Sequence, residues 1–268
     1  MPEPLLSVDK VNVEFPIFRA GSKHVPRAVD AVSFSLARQE ILGVIGESGS
    51  GKSTLAGAIT GLVPAVSGHI QFEGLSLLDL SPKAWRASRR HIQLVFQDPN
   101  AALNPRLTVG DAIAEGLRYL RPELDPASHQ SRVGQALERV GLTPSVAMGY
   151  PHEFSGGQRQ RVSIARAIVV EPKMMICDES VSALDVLVQA QVLDLLSDLR
   201  RDLGMSIMFI SHDMAVIRQI CDCTLVMYRG QVVEAGRTKD IIERPVHPYT
   251  TKLMQSVPRL RSPPAQPP

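Results

Sequence analysis

Cysteine is scarce in this chain, and its three copies, Cys177, Cys221 and Cys223, are too few and too badly spaced for a disulfide framework or a structural zinc site. Cys221-x-Cys223 reads as a pair of ordinary thiols. Long apolar runs are missing too: none reaches the ~20 residues that span a bilayer. The N-terminus, Met1-Pro2-Glu3-Pro4, lacks the basic-then-apolar layout of a signal peptide, so the expected location is the cytoplasm. Neither sign of charge dominates, since 29 Lys and Arg face 27 Asp and Glu, which excludes a global basic field of the kind that draws a protein onto nucleic acid. Aromatic residues are only 4% of the chain, so an exposed-looking one raises the question of stacking on a ring. What remains, 268 residues with 44% hydrophobic and 21% charged, is enough for one large globular domain or two small ones.

The richest stretch is Gly46-Glu47-Ser48-Gly49-Ser50-Gly51-Lys52-Ser53-Thr54, which fits G-x-x-x-x-G-K-[ST]. The apolar run 41–45 leads into it as a strand, and residues 52–62 leave it with helical spacing. Small residues let successive N–H groups turn inward toward phosphate oxygens, and the helix N-terminus adds its dipole. Lys52 is then placed to reach the β- and γ-phosphates of a nucleoside triphosphate and Ser53 to hold Mg²⁺.

Before this loop, residues 5–15 alternate apolar and polar as a half-buried strand, and 31–36 read as a second strand. Phe15 and Phe18 stand at the end of the first; one of them could stack on a purine, or each could belong to the core. Residues 67–74 read as a short strand and turn, with His69 at the surface. A buried strand over 92–96 ends at Gln97, where an α/β protein meets its ligand, so Gln97 could reach a metal or an attacking water. Residues 109–120, 128–140 and 157–170 carry helical spacing and read as a helical insertion between two strands of one sheet.

Later strands supply further polar ends. Residues 173–179 are an apolar run finishing in Asp178-Glu179, whose side chains alternate to opposite sides. Asp178 suits a Mg²⁺ ligand, directly or through water, and Glu179 can polarise the water that attacks a γ-phosphate; a solvated acidic pair is the plain alternative. Asp185 fits the N-cap of a long helix over 186–203. Residues 206–210 end at Ser211-His212-Asp213, where the histidine is either structural or a phosphate contact. Residues 224–228 and 231–235 make a hairpin, 238–243 a short helix, and 245–258 a Pro-started helix with Tyr249, Leu253 and Met254 free to dock.

Ser155-Gly156-Gly157-Gln158, directly before a helix, is a second anion-binding nest or simply an N-cap. The fuller stretch from Phe154 to Ala167 resembles the signature of ABC-transporter ATPases, with Phe154 where Leu is most common. That resemblance implies an α/β fold, a P-loop NTPase (RecA-like) core with an antiparallel β subdomain and an inserted α-helical subdomain. Residues 1–97 and 171–244 would form the nucleotide-binding core, 98–170 the helical and signature part, and 245–268 a C-terminal docking helix and a disordered Pro-rich tail. It also implies that Ser155, Gly156, Gly157 and Gln158 cover the ATP held by a second ATPase subunit arranged head to tail, homologous or identical. Asp178 corresponds to the magnesium aspartate, Glu179 to the catalytic glutamate, His212 to the switch histidine, and Ser182-Ala183-Leu184-Asp185 to a subunit-contact loop. Gln97 and residues 101–115 would couple hydrolysis to two membrane-spanning permease subunits, placing the chain at the cytoplasmic face of the membrane.

Three segments, 96–106, 182–191 and 245–258, resemble the oligopeptide/dipeptide/nickel permease group, which implies a peptide delivered by an extracytoplasmic substrate-binding protein. Nickel, opine and small glycoside remain alternatives on these residues. Many members of that group carry a longer, cysteine-containing C-terminal extension; here residues 259–268 are Pro-rich, and no metal cluster is expected. Ser180 stands where Pro is common. A nucleic-acid ATPase of similar motifs would need zinc modules or long coiled coils, and neither the cysteines nor any heptad run supports them. A non-catalytic subunit would have lost the glutamate, the histidine or a signature glycine, and all are present. Against an exporter stand only the permease-like segments.

Overall fold

A computed structural model describes residues 3–15 and 26–255. Its organising layer is a six-stranded sheet. The run Ile41–Ile45 forms β3, every residue of it buried. Chain order begins with β1 (Leu6–Glu14) and β2 (Arg27–Leu36), and β3 is followed by α1 (Lys52–Ile59), β4 (Ser67–Phe72), β5 (Leu75–Ser76), α2 (Pro82–Arg89) and β6 (Ile92–Val95). Four helices come next: α3 (Pro99–Ala102), α4 (Val109–Leu120), α5 (Pro126–Arg139) and α6 (Gly156–Ile168). The chain then returns through β7 (Met174–Asp178), α7 (Val186–Leu203), β8 (Ser206–Ser211), α8 (Met214–Ile220), β9 (Cys223–Tyr228) and β10 (Gln231–Arg237), and closes with α9 (Thr238–Glu243) and α10 (Pro248–Gln255).

The large sheet runs β10-β9-β3-β8-β7-β6, parallel except for β10 at one edge, and β2-β1-β4-β5 make a separate antiparallel sheet. A parallel sheet covered on both faces needs apolar residues at nearly every position, which is why Ile41–Ile45, Met174–Asp178 and Ser206–Ser211 read as continuous runs rather than alternating ones. Alternation then divides the core. Ile41, Ile45, Met175, Cys177, Ile207 and Phe209 face α4 to α8, whereas Leu42, Val44, Met174, Ile176, Met208 and Ile210 face α1 and the antiparallel sheet. All three cysteines are free, and burial pushes the Cys177 thiol up to about 12.

Several element bounds differ from the sequence reading for physical reasons. The second strand starts at Arg27 rather than residue 31, because Ala31 sits at φ +50° and breaks the two-residue period; Val29 and Val32 are both buried. Its partner β1 has the matching irregularity at Lys10, φ +49°, and the Asn12 side chain accepts from the Ala31 N–H across the gap. Three α-helices escaped the sequence reading: α2, the four-residue α3 and α8. Ser81 caps α2 ahead of Pro82, and Asp213 caps α8, whose Met214, Val216, Ile217 and Ile220 are buried. The last helix begins at Pro248, not Pro245, because Glu234 on β10 accepts the N–H groups of Val246 and His247 and holds them outside the helical turn. Residues 256–258 of the expected helix, and the Pro-rich tail, lie outside the described residues.

Candidate functional site

The parallel strand order brings the loops after β3, β6, β7 and β8 to the C-terminal edge of one sheet, the edge at which open α/β sheets hold ligands. The loop of residues 46–51 leaves β3 there and opens α1 at Lys52. It is held tightly from two sides. A Cβ on Gly46 would collide with the Met227 carbonyl oxygen and one on Gly51 with the Ala28 carbonyl oxygen, so neither position admits a side chain. The Gly230 N–H donates to the Ser50 carbonyl at 3.0 Å, and the Glu47 N–H donates to the Tyr249 hydroxyl at 3.0 Å.

Lys52 is buried, and its ammonium group donates to the carbonyls of Gly46 at 2.8 Å and Glu47 at 3.0 Å, folded back over its own loop. Burial draws its pKa below the ordinary lysine value, against the pull of Glu179 and Asp178. The Ser53 hydroxyl donates to Oδ1 of Asp178 at 3.1 Å. That carboxyl is raised above the ordinary range chiefly by burial, with the Glu179 charge adding to the shift while the Ser53 hydrogen bond and Lys52 oppose it. A hydroxyl and a carboxylate oxygen converging across α1 and β7 are hard donors of the kind a small divalent cation takes.

The next residue, Glu179, has φ +45°, a conformation costly for a side chain with a Cβ. Its N–H donates to the Ile210 carbonyl, and its Oε2 receives the Gln97 amide at 3.1 Å and lies 3.4 Å from Nδ1 of His212. Gln97 stands two residues beyond the end of β6 and His212 directly after β8, so three loops meet on one carboxylate. Phe15 follows β1, and its N–H donates to the Pro26 carbonyl at 3.4 Å. It is 45% exposed, at the end of the strand pair that presents Ala28 to Gly51, which leaves its ring free to stack. Phe18 lies outside the described residues.

Ser155, Gly156, Gly157 and Gln158 are not part of this cluster. Ser155 caps α6 by accepting from the Gln158 N–H, and the Gln158 side chain accepts from the Ser155 N–H, a reciprocal capping box. A Cβ on Gly157 would stand 2.5 Å from Cγ1 of Val188, so the start of α6 packs against the start of α7. Asp185 caps α7 by accepting from the Val188 N–H at 2.9 Å, and beside it Val186 and Leu187 are 85% and 70% exposed. Large apolar side chains left uncovered beside a polar nest mark a surface suited to another protein.

One residue of the phosphate-loop surroundings was not singled out as a site residue from the sequence: Tyr249, whose hydroxyl meets the loop across 202 positions of chain. Only its apolar docking was legible. Among the described residues, no helix is long and apolar enough to cross a membrane.

Comparison with known proteins covers most of the chain. The family described as ABC transporter matches residues 29–182, and the family described as Oligopeptide/dipeptide transporter, C-terminal region, matches residues 233–267. The oligopeptide transport ATP-binding protein OppF of Escherichia coli (strain K12) is 53% identical over 232 residues, 87% of this chain and 70% of that protein. The glutathione import ATP-binding protein GsiA of Escherichia coli (strain K12) is 50% identical over 261 residues, 96% of this chain but 41% of that protein. Among solved structures, the post-hydrolysis dimer of the ATP-binding cassette MJ0796 bound to ADP and Pi superposes with a TM-score of 0.77 at 26% identity, covering 87% of this chain and 98% of that one.

Proposed function

The chain belongs to the ABC transporter family, and on that premise we propose that it is the ATP-hydrolysing subunit of an importer that brings peptides into the cell. The observation that supports the cargo class is the match of residues 233–267 to the oligopeptide/dipeptide transporter C-terminal region, together with identity to OppF over most of the chain. The geometry around Glu179 supports the chemistry.

In this reading the nucleotide lies on residues 46–54, with Phe15 against its base. Lys52 leaves the carbonyls of Gly46 and Glu47, which hold it now, for the β- and γ-phosphate oxygens. Ser53, Asp178 and Gln97 would hold a Mg²⁺ ion, which when bound neutralises charge developing on the phosphates. Glu179 orients water for in-line attack. Gln97 and His212 hold that carboxylate through Oε2, and His212 would face the γ-phosphate. Such positioned groups, more than covalent chemistry, supply the catalysis of phosphoryl transfer.

A second ATPase subunit would complete each site with its own Ser155, Gly156, Gly157 and Gln158, and Asp185, Val186 and Leu187 would lie at the contact. ATP binding at both sites favours the closed pair, and hydrolysis releases it; the difference in affinity between the two states is what moves two membrane-spanning permease subunits. The pair would sit at the cytoplasmic face of the membrane and receive cargo through an extracytoplasmic binding protein. The test is ATP hydrolysis by the assembled complex in vesicles. Stimulation by a binding protein loaded with a short peptide is expected; stimulation only by a metal ion or a sugar-loaded receptor would overturn the cargo class.

A further inference from the structure

The Tyr249 side chain joins the C-terminal helix α10 to the phosphate loop. The Tyr249 hydroxyl accepts the Glu47 N–H at 3.0 Å, inside the loop of residues 46–51. Its ring centroid lies 4.2 Å from that of Tyr228, the last residue of β9, and Arg229 stands over the Tyr228 ring at 5.1 Å. Glu234 on β10 anchors the approach to α10 through the N–H groups of Val246 and His247, both at 2.9 Å. Thus the hairpin that touches the loop at Met227 and Gly230 also carries the helix that touches it at Glu47.

From this bracket we propose that Tyr249 is a positioning residue for nucleotide binding, acting through the Glu47 N–H to keep the loop in its phosphate-accepting shape. The inference rests on the functional reading above, and it gives the C-terminal segment a role at the ATP site. Tyr249 is 9% exposed and its ring is held against Tyr228, so the hydroxyl meets the Glu47 N–H from a fixed position in a partly buried contact. A loop of small residues has many other shapes available once that N–H is released. If only a fraction of molecules then holds the binding shape, apparent affinity falls by that fraction. Loss of one ordinary hydrogen bond corresponds to roughly a two- to tenfold change in such a population.

The experiment compares the full-length wild type with Tyr249→Phe, which keeps the ring against Tyr228 and removes only the hydroxyl. Equilibrium binding of a fluorescent ATP analogue, competed with Mg-ATP, is expected to weaken by roughly two- to tenfold. The KM for ATP rises in step while kcat at saturating ATP stays within about twofold. Amide exchange separates positioning from bulk stability: the Glu47 amide loses protection, and amides of residues 223–228 in β9 keep theirs. Glu234→Ala, which loosens α10 without altering its tyrosine, gives a second arm with the same direction of change. Thr251→Val, which removes a hydroxyl that bonds to the His247 carbonyl just before α10, is expected to bind ATP as the wild type does. Wild-type affinity in Tyr249→Phe, or loss of protection spread evenly through β9 and α10, overturns the proposal while leaving the ATPase reading intact. Failure of the wild type itself to bind ATP overturns both.

Discussion

The Gln97 amide and the His212 imidazole address the same oxygen of Glu179, Oε2, from 3.1 and 3.4 Å, so one carboxylate oxygen is fixed and Oε1 is left for other partners. Exchanging that acid for an amide of the same size keeps the shape of the site and removes its ability to take up charge. Glu179→Gln is therefore expected to bind ATP close to wild-type affinity and to hydrolyse it about 10²- to 10⁴-fold more slowly. Equilibrium binding and single-turnover phosphate release check the two halves; undiminished release would refute the assigned role.

Asp178 gives a pH prediction. Its carboxyl is raised by burial, so the folded chain retains the proton to higher pH than the unfolded chain does. Native-state proton uptake then exceeds that of the unfolded state between the ordinary aspartate value and the raised one. Across that window stability falls as pH rises, and above it this contribution levels off. Asp178→Asn removes the slope and can still accept from the Ser53 hydroxyl. Without nucleotide the variant is expected to melt higher than wild type at neutral pH, and with Mg-ATP to turn over about 10²- to 10³-fold more slowly. Thermal unfolding followed from about pH 4 to 8 tests the first statement, hydrolysis the second.

The contact between the starts of α6 and α7 can be read as a coupling. Gly157→Ala places a methyl 2.5 Å from Val188 Cγ1 and is expected to cost about 1–3 kcal/mol. Val188→Ala removes the opposing branch, so the double variant should be more stable than the two single losses predict. Strict additivity in chemical denaturation would show that the two residues do not press on each other.

Two glycines of the phosphate loop should respond differently to alanine. At Gly46 the new Cβ meets the Met227 carbonyl, a backbone atom that no rotamer change can move, and Gly46→Ala is expected to abolish ATP binding. At Gly49 no atom stands within 4 Å, but φ is +79°, so Gly49→Ala costs about 1–2 kcal/mol of backbone strain without a collision. Measured by ATP binding, the second variant should retain weakened affinity where the first retains none.

Much of this site could be read from sequence because each half of it is local. A run such as Ile41–Ile45 declares a strand covered on both faces, and Lys52-Ser53 after it declares what the strand delivers. ABC-transporter membership, and with it the α/β fold, was read from another local stretch, the resemblance of residues 154–167 to that family's signature, and the family and structure comparisons bear both out. What escaped depends on pairs of residues far apart in the chain. Nothing near Tyr249 says that its hydroxyl will meet Glu47, and nothing near Ala31 says that Asn12 will support a left-handed residue there. The helix at Met214–Ile220 was hidden for a different reason: with seven residues it is too short to establish a period, and only its Asp213 cap announced it.

The order of strands also sets a timetable for synthesis. On one side β3 pairs with β8, Ile41 opposite Ile207, and on the other with β9, Leu42 opposite Cys223. At about 5–20 residues per second, a ribosome supplies the first of those neighbours, some 165 residues later, only after roughly 8–30 s. Through that interval a fully apolar strand has no partner on either edge, whereas α4, α5 and α6 can pack against one another as soon as they emerge. Nascent chains stalled before residue 206 should therefore hold a formed helical insertion beside an exposed Ile41–Ile45, the segment a chaperone would have to shield.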